Sequence, residues 1–135
     1  AILRIQLRQL DEYAAARRAV ADRYDLAFAN NPKVKTPVRA QWSDHVFHQY
    51  TLVLNGVDRT KLREYLASKD IPAMIYYPVP LHLQKAYVDP RYKAGDFPVT
   101  EHLCANVISL PIHTELSAET QDLIIQEVRS FLATS

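Results

Sequence analysis

Apolar residues at the start of the chain recur at helical spacing: Leu3, Leu7, Leu10, Ala14, Ala21, Tyr24 and Phe28, with Arg4, Arg8 and Arg18 between them. Steps of three and four gather these side chains on one face. The pattern predicts an amphipathic helix running to the break at Asn30, Asn31, Pro32 and Pro37. A helix of about 27 residues spans roughly 40 Å at 1.5 Å per residue, more than a small domain needs. Such a helix links two domains or packs against a partner. The period then shortens. His45, Phe47 and Gln49, leading into residues 51–54, read as a strand. Asp58 caps a short helix carrying Leu62, Tyr65 and Leu66 and ending at residues 68–70. The apolar run "IPAMIYY" reads as a second short strand halted by Pro78. Residues 79–97 are irregular, punctuated by Pro80, Pro90 and Gly95. "VTEHLCANVISL" begins as a helix and ends as a strand that Pro111 stops. Ser117 caps a last helix with Glu119 in its first turn and a buried stripe of Leu123, Ile124, Val128, Phe131 and Leu132. The order predicts an α+β domain, a small sheet covered by helices, with no internal repeat.

A length of 135 residues suits one domain with its own core, divided into a leading helix over residues 1–30 and an α+β body over 31–135. Sixteen basic residues against fifteen acidic ones leave a net charge of +1, which gives no reason to propose nucleic acid as a partner. Two glycines are too few for a phosphate-cradling P-loop or a dinucleotide fingerprint. Cys104 is the only cysteine, so there is neither an internal disulfide nor a thiolate metal cluster, which suits a reducing cytoplasm. No apolar stretch is long enough to span a bilayer, so no membrane partner is expected. The first residues lack the uninterrupted apolar core of a signal peptide. The chain starts without methionine and inside a helical pattern, as a portion of something longer would.

The chemistry-bearing stretch is "IYYPVPLHLQKAY", with three tyrosines, two prolines and a histidine among thirteen residues and no acid. Pro78 and Pro80 fix φ and bias Tyr77 and Val79 towards extended geometry, making a rigid turn at the end of a strand. A rigid turn holds side chains in place at little entropic cost when a ligand arrives. Tyr76 and Tyr77 point to opposite faces, so one of them can present a phenol at the rim. His82 and Gln84 add hydrogen-bonding capacity suited to a sugar hydroxyl or a phosphate oxygen. The plainer reading is that the tyrosines pack and His82 is a satisfied surface residue. His45 and His48 lie three apart, which on a strand sends them to opposite faces, and no metal motif surrounds them. Asp89, Arg91, Lys93 and Asp96 can reach a ligand or simply form a solvated loop. No nucleophile sits beside a base, so the residues alone declare no catalytic centre.

The leading helix, "HVFHQYTLVL", "IPAMIYYPVPLHLQKAY" and "GDFPVTEHLCANVISLPIHTELS" together resemble the C-terminal portion of the DegT/DnrJ/StrS family of sugar aminotransferases, end to end and in order. The resemblance implies the small C-terminal domain of a fold type I aminotransferase dependent on pyridoxal 5'-phosphate (PLP), with residues 1–30 as an interdomain helix. It implies a cytoplasmic homodimer that moves an amino group from glutamate to a nucleotide-linked keto-sugar, for cell-surface polysaccharide or amino-sugar synthesis. It also implies that the lysine holding PLP lies upstream. None of Lys33, Lys35, Lys61, Lys69, Lys85 and Lys93 has the right setting, so this chain alone is expected to be inactive. Tyr76, Tyr77 and His82 are the implied substrate-side contacts, with Pro78 and Pro80 fixing their direction. The family often has histidine where this sequence has Tyr76; a phenol donates a hydrogen bond but cannot carry the positive charge. The reading from another class is a stand-alone α+β module that binds a small ligand or a protein, with its first helix as a dimer surface.

Overall fold

Alternation along the central strand sets the architecture. The computed structural model describes residues 2–135. Strand β2 (Tyr50–Leu54) turns Tyr50, Leu52 and Leu54 to one face, all of them fully buried. It pairs antiparallel with β3 (Val107–Leu110), placing Leu52 opposite Ile108 and Tyr50 opposite Leu110. The two-residue β1 (Val34–Lys35) pairs on its other side, Val34 opposite Leu54, giving the order β1-β2-β3. Three helices supply most of the remaining core, which loop residues such as Phe47, Val57 and Ile71 complete. The helices are α2 (Leu10–Phe28) through Val20, Ala21, Tyr24 and Phe28, α3 (Arg59–Ala67) through Leu62 and Leu66, and α5 (Ala118–Thr134) through Ile124, Ile125, Val128 and Leu132. This is an α+β fold, as the order of elements predicts.

Local chemistry accounts for the helix ends. The Asp58 carboxylate accepts from the Thr60 and Lys61 N–H groups at 2.9 and 3.1 Å, and Ser117 Oγ accepts from Thr120 N–H at 3.2 Å. Pro98 opens α4 (Pro98–Asn106), where its missing N–H removes no helical bond. Buried polar groups are paired. Gln121 donates to the Val20 carbonyl at 2.7 Å, tying α5 to α2, and the Tyr24 hydroxyl donates to the Pro111 carbonyl at 2.9 Å. The Tyr50 hydroxyl donates to Asp25 at 2.6 Å, and Arg39 Nε donates to the other oxygen of that carboxylate at 2.9 Å. Burial pushes both phenols well above the usual range, Asp25 adding to the effect at Tyr50, so both stay protonated and donate.

Four expectations are corrected. The leading helix is two helices, α1 (Ile2–Gln6) and α2, separated by a 3-10 turn over Leu7–Gln9. Only the first part of its apolar stripe lacks a packed partner here, with Leu3, Leu7 and Leu10 at 80%, 67% and 55% exposure. An unpacked helix end is marginal and readily tightens into 3-10 geometry. Next, the strand expected from His45 starts only at Tyr50, because Phe47 has φ +46°, which no strand admits. The run "IPAMIYY" shrinks to one bridge, Met74 exchanging both backbone bonds with Ser109 at 3.0 and 2.8 Å. Pro72 has no N–H to extend that pairing, and Tyr77, with φ +54°, is left-handed rather than extended. Finally, on α5 Leu123 is exposed and Ile125 takes its place in the core.

Candidate functional site

The chain leaves the Met74 bridge through Tyr76 and Tyr77 into the Pro78–Pro80 turn, and the two tyrosines open onto different hollows. Tyr77, 78% exposed, borders a hollow of about 440 Å3 with Pro37, His45, Phe47, His48, Gln49 and Thr51. Tyr76 borders a smaller one of about 110 Å3 beside Met74, Ser109, Pro111 and Ile112. His48 and Gln49 belong to both. A third hollow, about 560 Å3, lies between His48 and α2, lined by Tyr13, Arg17, Arg18, Asp44 and Val46. His48 and Gln49 therefore form a ridge on which the surroundings of both tyrosines meet. In the sequence both fall in an expected strand, and His48 stands out there only as a metal candidate beside His45.

The ridge is held from two sides. His45 Nδ1 accepts the Phe47 N–H at 2.8 Å, and the two rings pack with centroids 4.4 Å apart. The Phe47 ring is 1% exposed and lies under the Arg39 guanidinium at 4.8 Å, so its burial maintains a backbone conformation that a bulky residue otherwise avoids. From α2, one nitrogen of Arg17 donates to three carbonyls: Phe47 at 3.3 Å, His48 at 3.2 Å and Ile112 at 3.4 Å. A single guanidinium thus links the ridge to the strand exit at residues 111–112.

His82 is placed elsewhere. The turn Leu81–Leu83 carries it towards α4, where Nε2 lies 3.1 Å from Glu101 Oε1 and the ring packs on Phe97 at 4.7 Å. Only 9% of its side chain is exposed, and it borders a separate hollow of about 400 Å3 with Tyr87, Asp89, Tyr92, Phe97 and Thr100. The structure therefore does not gather Tyr76, Tyr77 and His82 around one cavity. It joins the tyrosines through the His48–Gln49 ridge and gives His82 a partner. Pro80, with φ −54°, starts the turn that carries it.

Glu101 organises that corner. It accepts from Gly95 N–H at 2.8 Å and from Phe97 N–H at 3.4 Å besides meeting His82. The Gly95 N–H first, then Phe97 and His82, hold its carboxyl below the ordinary glutamate value. A depressed carboxylate stabilises the fold above its unfolded pKa, about 4.3, and that contribution is lost as pH falls through the folded value. Acidification from pH 7 to below about 4 is therefore expected to free the Gly95 and Phe97 amides, seen as faster hydrogen exchange there than at the β2 amides. Glu101→Gln should reproduce the loosening at neutral pH. Exchange at Gly95 that ignores both changes would contradict the role given to Glu101.

The donor set on the ridge is imidazole, amide, hydroxyl and phenol. No lysine lines these hollows, and Lys33 lies at the far end of the domain, bound to the Leu132 carbonyl at 2.7 Å. The residues do not fit covalent attachment of PLP. They can bind and orient a polar ligand. Among the described residues no group of three or more His, Cys, Asp or Glu side chains is placed to hold a metal, and no helix is long and apolar enough to cross a membrane.

The model of the DegT/DnrJ/EryC1/StrS aminotransferase family matches residues 1–129. The erythromycin biosynthesis sensory transduction protein EryC1 of Saccharopolyspora erythraea is 35% identical over 130 residues, covering 96% of this chain and 35% of that protein. The dTDP-3-amino-3,4,6-trideoxy-alpha-D-glucose transaminase of Streptomyces venezuelae is 34% identical over 131 residues, 97% of this chain and 34% of that one. The crystal structure of S. venezuelae DesV in complex with a ketimine intermediate superposes with a TM-score of 0.90 at 34% identity, covering 97% of this chain and 35% of that chain. The chain spans about a third of the length of the curated relatives it matches.

Proposed function

The chain belongs to the DegT/DnrJ/EryC1/StrS aminotransferase family, and on that premise we propose that it serves as the small C-terminal domain of a PLP-dependent enzyme moving an amino group from glutamate to a nucleotide-linked keto-sugar. The observation that carries the proposal is the edge formed by Tyr76, Tyr77, His48 and Gln49. It is a rigid, polar, ligand-sized surface with no acid-base pair or lysine of its own. Such a surface binds and orients while another part of the protein performs the chemistry. Tyr76 and Tyr77 contact the substrate, Pro78 and Pro80 fix the edge, and His82 acts through Glu101 by holding the neighbouring arm. Residues 1–30 connect to the part that holds PLP, and their exposed leucines face it. The enzyme is cytoplasmic and homodimeric and supplies amino sugars for surface polysaccharides.

The test is to incubate the complete polypeptide that carries this chain with PLP, glutamate and a dTDP-linked keto-sugar, and to follow aminated sugar by mass. Amino transfer is expected. A protein that binds the nucleotide-linked sugar yet transfers nothing would favour the stand-alone binding module, whose first helix pairs with a second copy.

A further inference from the structure

We propose that residues 76–96 form an arm that opens and closes on α4 as one unit, with Glu101 as its latch, and that the latched state sets the tyrosine edge. Only the last clause rests on the aminotransferase reading. Among the described residues, every hydrogen bond that joins residues 76–96 to the rest of the domain ends on the Glu101 carboxylate. The Gly95 N–H donates to its two oxygens at 2.8 and 3.0 Å, and His82 Nε2 lies 3.1 Å from one of them. The other bonds of the arm are internal. The Leu83, Gln84, Tyr87, Tyr92 and Asp96 N–H groups each donate to a carbonyl three residues back, and Gln84 Nε2 donates to the Val79 carbonyl. Bonds of such short reach survive when the arm swings as a body.

No residue of the arm is buried, and the last apolar side chain packed against the core before it is Ile75. Ordering a chain segment costs conformational entropy. Here no burial offsets that cost, so the arm belongs among segments that open well below the free energy of global unfolding. Its fit to α4 is loose as well. A hollow of about 400 Å3 is lined by Leu81 and Tyr87 on the arm and by Phe97 and Thr100 at the helix start. Besides the latch, the Phe97 ring meets His82 and Tyr92 at 4.7 and 5.4 Å. Both ends of the arm can hinge. Gly95 takes φ +94° at no steric cost, whereas Tyr77 takes φ +54° only while its surroundings hold it. The helix is the fixed post, since the Cys104 carbonyl accepts from Arg59 of α3 and the chain runs on directly into β3. Releasing the latch therefore frees the Tyr77 hinge, and with it the edge.

The deciding experiment is amide hydrogen exchange on the complete polypeptide, wild type against Glu101→Gln. The amides of Leu83, Gln84, Tyr87, Tyr92 and Gly95 are expected to quicken by one common factor, about tenfold or more, while Met74, Ser109 and the β2 amides keep their rates. His82→Leu removes one contact of the latch, should quicken the same set by a smaller common factor, and decides the matter if Glu101→Gln does not fold. Quickening at Gly95 alone, or at the arm and β2 alike, would overturn the inference. Steady-state transfer reads the edge separately. Glu101→Gln should raise the KM for the keto-sugar about tenfold with kcat unchanged, because substrate must first draw the arm closed. An unchanged KM in a protein whose arm has quickened would overturn the link to the edge. A common factor in a protein without transfer keeps the arm and removes the enzyme. Transfer with arm rates indifferent to Glu101 keeps the enzyme and removes the latch.

Discussion

Leu52→Ala is expected to lower the stability of the domain by about 3 kcal/mol. Leu52 is fully buried at the middle of the central strand, opposite Ile108, with helices packed over its face. Truncation removes the transfer energy of the lost carbons and leaves a cavity that a strand bonded on both edges cannot collapse to fill. Domains of this size are stable by about 5–15 kcal/mol, so the loss brings partial unfolding within reach of moderate denaturant. Val53→Ala makes the control. Its side chain is half-buried on the opposite face of the sheet, and the loss there should be about 1 kcal/mol. Urea titrations of both variants check the pair, and equal midpoints would mean that the core does not lie on the Leu52 face.

Arg17→Met carries the largest expected functional effect. Arg17 reaches carbonyls 30, 31 and 95 positions away, on both segments that flank the tyrosine hollows. Methionine keeps much of the aliphatic stem and removes all three bonds. Hydrogen bonds to a charged group contribute about 1.5–3 kcal/mol, and one half-buried nitrogen shared among three acceptors belongs towards the low end. Global stability should therefore fall by about 1.5 kcal/mol, while the ridge loses its anchor. The KM for the keto-sugar should rise about tenfold or more, since misplacement by an ångström is enough for such losses. Amide exchange at His48 and Gln49 should quicken ahead of exchange at β2. A stability loss with unchanged KM and unchanged exchange at the ridge would make Arg17 a general strut rather than a positioning residue.

What could be read along the chain was what local chemistry decides. Asp58 and Ser117 announce α3 and α5, and the alternation from Tyr50 to Leu54 places the core face of the sheet. Pro98 at the start of α4 and Pro111 after β3 punctuate as their missing N–H groups require. The site was half legible. The tyrosines and prolines of residues 76–80 stood out by composition. The ridge that joins the tyrosines did not, because it depends on contacts made at a distance. Phe47 turns left-handed when its ring is buried beneath Arg39, and His48 becomes a ridge residue when Arg17 captures its carbonyl. The partner of His82 was hidden for the same reason, since Glu101 lies nineteen residues further along. The run "IPAMIYY" has strand composition, yet only Met74 finds a partner. One signal was available. His45 and His48 bracket Phe47 just before an apolar strand, and a histidine can cap such a turn through the N–H two residues on, as His45 does.

The tyrosine edge of this domain is expected to meet the nucleotide-linked sugar. The most direct test is steady-state amino transfer by the complete polypeptide carrying Tyr77→Ala, with PLP absorbance recorded alongside. Tyr77 is 78% exposed, so the change should leave the fold intact. The account predicts a KM for the keto-sugar raised about tenfold, the loss expected for one ligand hydrogen bond and its ring contact, with the PLP spectrum unaltered. An unchanged KM would contradict it and place the sugar on another surface.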